Sequence, residues 1–160
     1  MRWFRSNVDS TLTEFFTARR RGCAGQRLER VGRVELALRD CVEATAARVL
    51  TDEEQWLLAA EQQFRPDGAA GRVAEPEALL FVLPIFLTEP QWCPADVEER
   101  RAQLLASAAL TRHLVTTLNG AEVDCAVHAI GAALDAAAAQ IRAAERKPPA
   151  VPSRSTGTTR

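Results

Sequence analysis

Tyrosine is absent from this 160-residue chain, and methionine and histidine are nearly so, with one and two residues. Lys147 is the only lysine among twenty basic residues, a bias that, with the abundant alanine, is typical of GC-rich bacterial genomes. Strand-like runs of Val, Ile and Thr are also missing, whereas Ala, Leu, Arg and Glu favour helix. The composition therefore predicts an all-α protein.

Long hydrophobic runs and export signals are lacking as well. The longest apolar run, residues 78–87, contains Pro84 and is well short of the roughly 20 residues that cross a bilayer. The amino terminus, MRWFRSNVDS, has no apolar stretch and no cleavage site of a secretory signal. Because the four cysteines are far apart in the sequence, reduced thiols are favoured over disulfides. We expect a soluble, cytoplasmic protein with no membrane partner.

The length and the distribution of residue types favour one folded unit and a tail. A chain of this size buries roughly 68–70% of its unfolded surface, enough for one core. After residue 146 the composition changes to Pro, Ser and Thr. We therefore expect a single helical domain at 1–146 and a disordered Pro/Ser/Thr-rich tail at 147–160.

Helix signals divide the domain into a compact bundle of five or six helices. T-x-x-E capping boxes at Thr11 and Thr51 predict two helix starts. The Gly- and Ala-rich stretch up to residue 75 is typical of a mobile loop. Residues 79–87 are apolar on all sides, so we expect them at the centre, with Pro84 stopping or kinking their helix.

The last predicted helix, residues 121–146, has the most regular apolar pattern. Apolar residues recur at alternating steps of four and three, which is a heptad seam. The seam consists of Val123, Val127, Ile130, Leu134, Ala137, Ile141 and Ala144. Asn119-Gly120 joins this helix to the preceding one, so we expect a C-terminal antiparallel hairpin. The pattern leaves open whether the seam closes within one chain or between two.

One C-x-x-H spacing is a candidate metal site. Cys125 and His128 lie on the same helix face and could both bind zinc, with Cys41, Cys93 or His113 as further ligands. A structural zinc site usually has two such short spacings, however. The favoured interpretation is a half-buried cysteine and a surface histidine.

Arginines near the amino terminus are a candidate nucleic-acid-binding group. Residues 1–34 carry a net charge of +5, residues 35–100 carry −9, and the remainder carries +3. Arg19, Arg20, Arg21, Arg27 and Arg30 could contact phosphates. The same arginines could instead pair with the acidic middle of the chain, which is the interpretation we favour.

No local motif identifies a reaction or a cofactor. The sequence lacks a P-loop, a G-x-G-x-x-G, a G-x-S-x-G and an H-E-x-x-H, so a non-enzymatic role without a cofactor is favoured. The leading hypothesis is a regulatory or adaptor protein that acts through helical protein–protein contacts, with a homodimer as one form. The alternatives are a nucleic-acid-binding accessory subunit and a small-molecule-binding bundle with a pocket near Trp56, Phe64, Phe81, Phe86 and Trp92.

Overall fold

The structure, a computed structural model, describes residues 6–118 and 121–146, and every regular element in those ranges is helical. The expected tail at 147–160 lies outside the described residues. The seven α-helices are α1 (Val8–Arg20), α2 (Gly25–Val49), α3 (Asp52–Phe64), α4 (Ala69–Val73), α5 (Ala78–Thr88), α6 (Val97–Thr117) and α7 (Ala121–Arg146). A single 3-10 turn, Pro90–Trp92, separates α5 from α6. The all-α prediction is confirmed.

The innermost element is α5, as its uniformly apolar sequence predicts. Seven of its residues are buried, and α2, α6 and α7 pack around it. The helix does not stop at Pro84 but continues to Thr88. Proline removes one backbone N–H and its hydrogen bond, and burial of the surrounding apolar side chains outweighs that loss.

The hairpin of α6 and α7 is antiparallel. Arg100 and Arg101, in the first turns of α6, bond to Gln140 and Glu145 near the end of α7. The first turns of α6 therefore lie beside the last turns of α7. This confirms the predicted C-terminal hairpin.

Side-chain caps determine where two helices begin. Thr51 and Glu54 form the predicted capping box of α3, with the Thr51 N–H donating to the Glu54 carboxylate over 2.8 Å. For α1, which begins at Val8, the predicted capping box at Thr11 was wrong. The cap is Asn7, whose side-chain oxygen accepts from the Ser10 amide at 2.8 Å, and Thr11 is buried in the first turn. Asn is among the strongest N-cap residues, so the helix starts there.

The Gly- and Ala-rich stretch predicted as a loop contains the short helix α4. Ala69, Ala70 and Gly71 are buried, and Gly68 precedes them in the left-handed conformation. The carboxylate of Glu43, on α2, accepts hydrogen bonds from the Ala70 and Gly71 amides at 3.2 and 3.1 Å. This acidic group satisfies backbone donors that would otherwise be unpaired at the amino end of α4.

Candidate functional site

The heptad seam of α7 lies inside the protein. Four of its residues are buried, Val127 and Leu134 are half-buried against the core, and Ala144 is exposed. The helix packs on α5 and α6, and its small residues Ala133 and Ala137 are also buried. The seam therefore closes within one chain.

The proposed zinc ligands are not joined by a third ligand. Cys125 and His128 are both exposed on α7, whereas Cys41 is fully buried on α2. His113 is half-buried with its ring centroid 5.9 Å from that of Phe15. Within residues 6–118 and 121–146, no group of three His, Cys, Asp or Glu side chains is arranged to hold a metal.

The arginines near the amino terminus divide into paired and unpaired members. Arg20 forms an ion pair of 2.6 Å with Glu35, whose other oxygen is 3.0 Å from Arg39. By contrast, Arg27 and Arg30 have no acidic partner within ion-pair distance in the described part of the chain. The favoured prediction, pairing with the acidic middle of the chain, therefore holds for Arg20.

Arg19 belongs to the unpaired set and lies among like charges. Its partial burial, followed by the nearby charge of Arg27 and then that of Arg112, lowers the pKa of its guanidinium group below the ordinary value. Arg19, Arg27, Arg30 and Arg101 line a cavity of about 160 Å³ together with Glu98 and the apolar residues Val31, Ala102, Leu105 and Ala106. Arg21 is exposed at the end of α1.

A larger cavity of about 430 Å³ lies between α2, the Pro90–Trp92 turn and α6. Phe86 and Trp92 line it, as the small-molecule hypothesis expected, but the other three aromatic residues of that hypothesis do not. Trp56, Phe64 and Phe81 are exposed instead. Arg30 lines both cavities, so the two adjoin.

Buried polar side chains hold the wall of the larger cavity in place. The amide nitrogen of Gln103 donates to the carbonyl oxygens of Phe86 and Trp92, at 2.8 and 2.9 Å. Arg100, also buried, donates to the Leu87 carbonyl at 2.6 Å. These bonds satisfy carbonyl groups that the end of α5 leaves without helical partners. Sequence reasoning missed them because their partners are distant in the chain.

Helix α3 presents an apolar surface to solvent. None of its thirteen residues is buried, and 80% of Trp56 and 81% of Phe64 are exposed. Trp56, Ala60 and Phe64 recur at four-residue steps and Leu57 flanks them, which places all four within an arc of about 100°. We call these four residues the α3 stripe.

The opposite side of α3 holds the helix to the bundle through polar contacts. Glu61 pairs with Arg72 at 2.7 Å, and the Glu54 carboxylate accepts from the Glu75 amide at 3.0 Å. Leu58 contributes an apolar contact with the core. The amphipathic pattern of α3 is thus partly inverted, since the carboxylates of Glu54 and Glu61 face the protein whereas the aromatic residues face water.

Comparisons with known proteins add no further assignment. No family model, curated protein or solved structure matches the chain. Within the described residues, no helix combines the length and apolar character that crossing a bilayer would require.

Proposed function

We propose that the protein is a non-enzymatic regulatory or adaptor protein that binds an amphipathic helix of another protein on the α3 stripe. The observation that carries the proposal is the outward position of Trp56 and Phe64. Large aromatic side chains dominate binding energy at protein interfaces, and exposing both on one helix face costs free energy unless a partner covers them.

The charge around the stripe indicates the chemistry of the partner. Helix α3 contains four carboxylates and no basic residue, and those of Asp52 and Glu53 are exposed beside the stripe. Two copies joined through α3 would bring these acidic surfaces together, which is unfavourable. A helix with an apolar stripe and flanking Lys or Arg residues is complementary to this surface both in its apolar character and in its charge.

A designed peptide tests this assignment directly. We expect a helical peptide of Leu and Lys to bind the intact protein, and a matched peptide of Leu and Glu not to bind, as measured by calorimetry. Trp56→Ser with Phe64→Ser should weaken binding at least tenfold, whereas the control Val115→Ser, at an exposed apolar residue of α6, should not. Absence of binding, or equal binding by both variants, would refute the proposal.

Light scattering tests whether a second copy of the chain, rather than a basic helix, occupies the α3 stripe. If the wild-type protein has the molar mass of two chains and the Trp56→Ser, Phe64→Ser variant has that of one, a second copy of the chain occupies the stripe. That result would overturn the proposal of a basic partner helix. We expect the wild-type protein to have the mass of one chain, since the α7 seam is already occupied within the monomer.

Contact with nucleic acid is a second candidate function, because Arg19, Arg27 and Arg30 line one cavity and form no ion pair with any of the described residues. Unpaired arginines on one surface can neutralise phosphates and release counterions. We expect any binding of labelled duplex DNA or RNA to weaken steeply with salt and with Arg-to-Gln changes at these three positions. Binding that persists unchanged in this variant would exclude the candidate, with Arg142→Gln as the control for charge alone.

A further inference from the structure

The two adjoining cavities differ in their chemistry. The larger one is lined mainly by apolar surface, to which Val34, Ala37, Phe86, Trp92 and Pro94 contribute, and the carboxylates of Asp40 and Glu99 also line it. Its volume of about 430 Å³ lies within the range of small-molecule sites, roughly 300–1,000 Å³. The smaller one is rimmed by arginines, and Arg30 stands at the junction of the two.

The apolar cavity is lined by two aromatic side chains, Phe86 and Trp92. The Nε1 atom of Trp92 is buried and has no hydrogen-bond partner among the described residues. Because this atom is closed to solvent, the cavity offers a ligand the aromatic rings rather than this donor, and such rings favour contact with another aromatic ring.

The charges of the smaller cavity are available to a ligand. Arg101 is engaged by Glu98 and Glu145, and Arg33, on the rim of the larger cavity, lies 2.8 Å from Glu99. Arg19, Arg27 and Arg30 have no such partner within the described ranges. Guanidinium groups bind phosphate-type anions through paired hydrogen bonds, so these three form an anion subsite.

We propose that the two cavities form one binding site for a small ligand that joins an aromatic ring to a phosphate-type anion. The ring occupies the larger cavity against Trp92 and Phe86, and the anion binds Arg19, Arg27 and Arg30. The site does not include α3, so this proposal is independent of the proposed adaptor function. A polymer of nucleic acid would need the arginines but not the ring cavity.

Three ring-bearing anions probe the site: ATP, flavin mononucleotide and 8-anilinonaphthalene-1-sulfonate. Their affinities are measured by calorimetry and compared with those of adenosine and tripolyphosphate, which carry the ring or the anion alone. We expect at least one ring-bearing anion to bind at least tenfold more tightly than either partial ligand. If none of the three does so, the proposal is overturned.

Matched variants separate the two subsites. Ala37→Trp should fill the ring cavity and reduce affinity at least tenfold, while the control Ala47→Trp, at an exposed position of the same helix, should leave it unchanged. Arg27→Gln with Arg30→Gln should also reduce affinity at least tenfold, and Arg142→Gln should not. Circular dichroism and melting temperature verify that each variant is folded.

Two outcomes would show that the arginines bind a different kind of ligand. Equal affinity for tripolyphosphate and ATP, with no effect of Ala37→Trp, would mean that the arginines bind an anion without a ring. Binding of a duplex oligonucleotide that is insensitive to Ala37→Trp, in the absence of binding by the three probes, would mean a nucleic-acid surface. Both outcomes contradict the proposed ligand.

Discussion

The guanidinium group of Arg100 donates a hydrogen bond of 2.6 Å to the backbone carbonyl oxygen of Leu87, at the end of the buried helix α5. The same buried side chain bonds to the amide oxygens of Gln103 and Gln140. Arg100 therefore connects α5, α6 and α7, and its bonds to Leu87 and Gln103 are buried. A positive charge at the carboxyl end of α5 is also favourable for the helix dipole.

Replacement of Arg100 by methionine keeps much of the side-chain volume and removes the donors. We expect Arg100→Met to lower the free energy of unfolding by about 2–4 kcal/mol, because unsatisfied buried acceptors cost roughly 1–3 kcal/mol each. Urea denaturation measures the change, with Arg142→Met as the control at an exposed position of α7. An equal, small effect of both substitutions would contradict this role.

From the packing of the α7 seam we predict that a larger side chain lowers the stability of the protein on the buried face of α7 but not on its exposed face. Ala137 is buried and its neighbour Ala136 is exposed, so the same substitution can be compared on two faces. We expect Ala137→Leu to cost about 1–3 kcal/mol through overpacking, and Ala136→Leu to change stability by less than about 0.5 kcal/mol. Thermal unfolding measures both. Similar melting temperatures would show that the seam is not closely packed.

Burial of the Cys41 thiol makes the stability of the folded protein depend on pH. Desolvation, followed by the nearby charge of Glu89, raises the pKa of this thiol to about 12 from an ordinary value near 9. The folded state therefore retains the proton more tightly than the unfolded state. Its contribution to stability is present below about pH 9 and is lost as the pH rises from 9 towards 12.

Denaturation between pH 8 and 11 tests this effect. We expect the free energy of unfolding to fall with pH in the wild type and to fall less in Cys41→Ala, with the exposed Cys125→Ala as control. The chain has no tyrosine and one lysine, so few side chains besides its other three cysteines have ordinary pKa values in this range. Identical slopes for wild type and Cys41→Ala would contradict the raised pKa.

The α3 stripe should be dispensable for folding. Because Trp56 and Phe64 are exposed, we expect Trp56→Ala and Phe64→Ala to change the free energy of unfolding by less than about 0.5 kcal/mol each. Leu58→Ala, on the side that packs against the core, should cost about 1–2 kcal/mol. Denaturant titration distinguishes them. A loss of stability at Trp56 comparable to that at Leu58 would mean that the stripe is part of the fold.

The periodicity of apolar residues predicted the helices well where the apolar face of a helix is also its buried face. The uniformly apolar segment around Leu83 is indeed innermost, and the four- and three-residue steps around Ile130 do mark a buried face. Periodicity shows which residues share a face of a helix but not whether that face meets protein or water. For this reason the orientation of Trp56 could not be predicted.

Features that depend on distant partners were not accessible to sequence reasoning. The short helix α4 is stabilised by Glu43, a residue 27 positions earlier than Ala70. The two cavities combine Arg30 of α2 with Trp92 of a later turn, and no spacing in the sequence relates them. Only the three-dimensional arrangement separates the paired Arg20 from the unpaired Arg27.

The side-chain amide of Gln103 holds two carbonyl groups at once, one on α5 and one beside the Trp92 ring. The backbone of the Pro90–Trp92 turn therefore cannot move away from α6 without breaking a bond of the same amide that holds the end of the central helix. The wall that this turn contributes to the larger cavity is tied to the core of the bundle, which favours a preformed site over one built as a ligand enters.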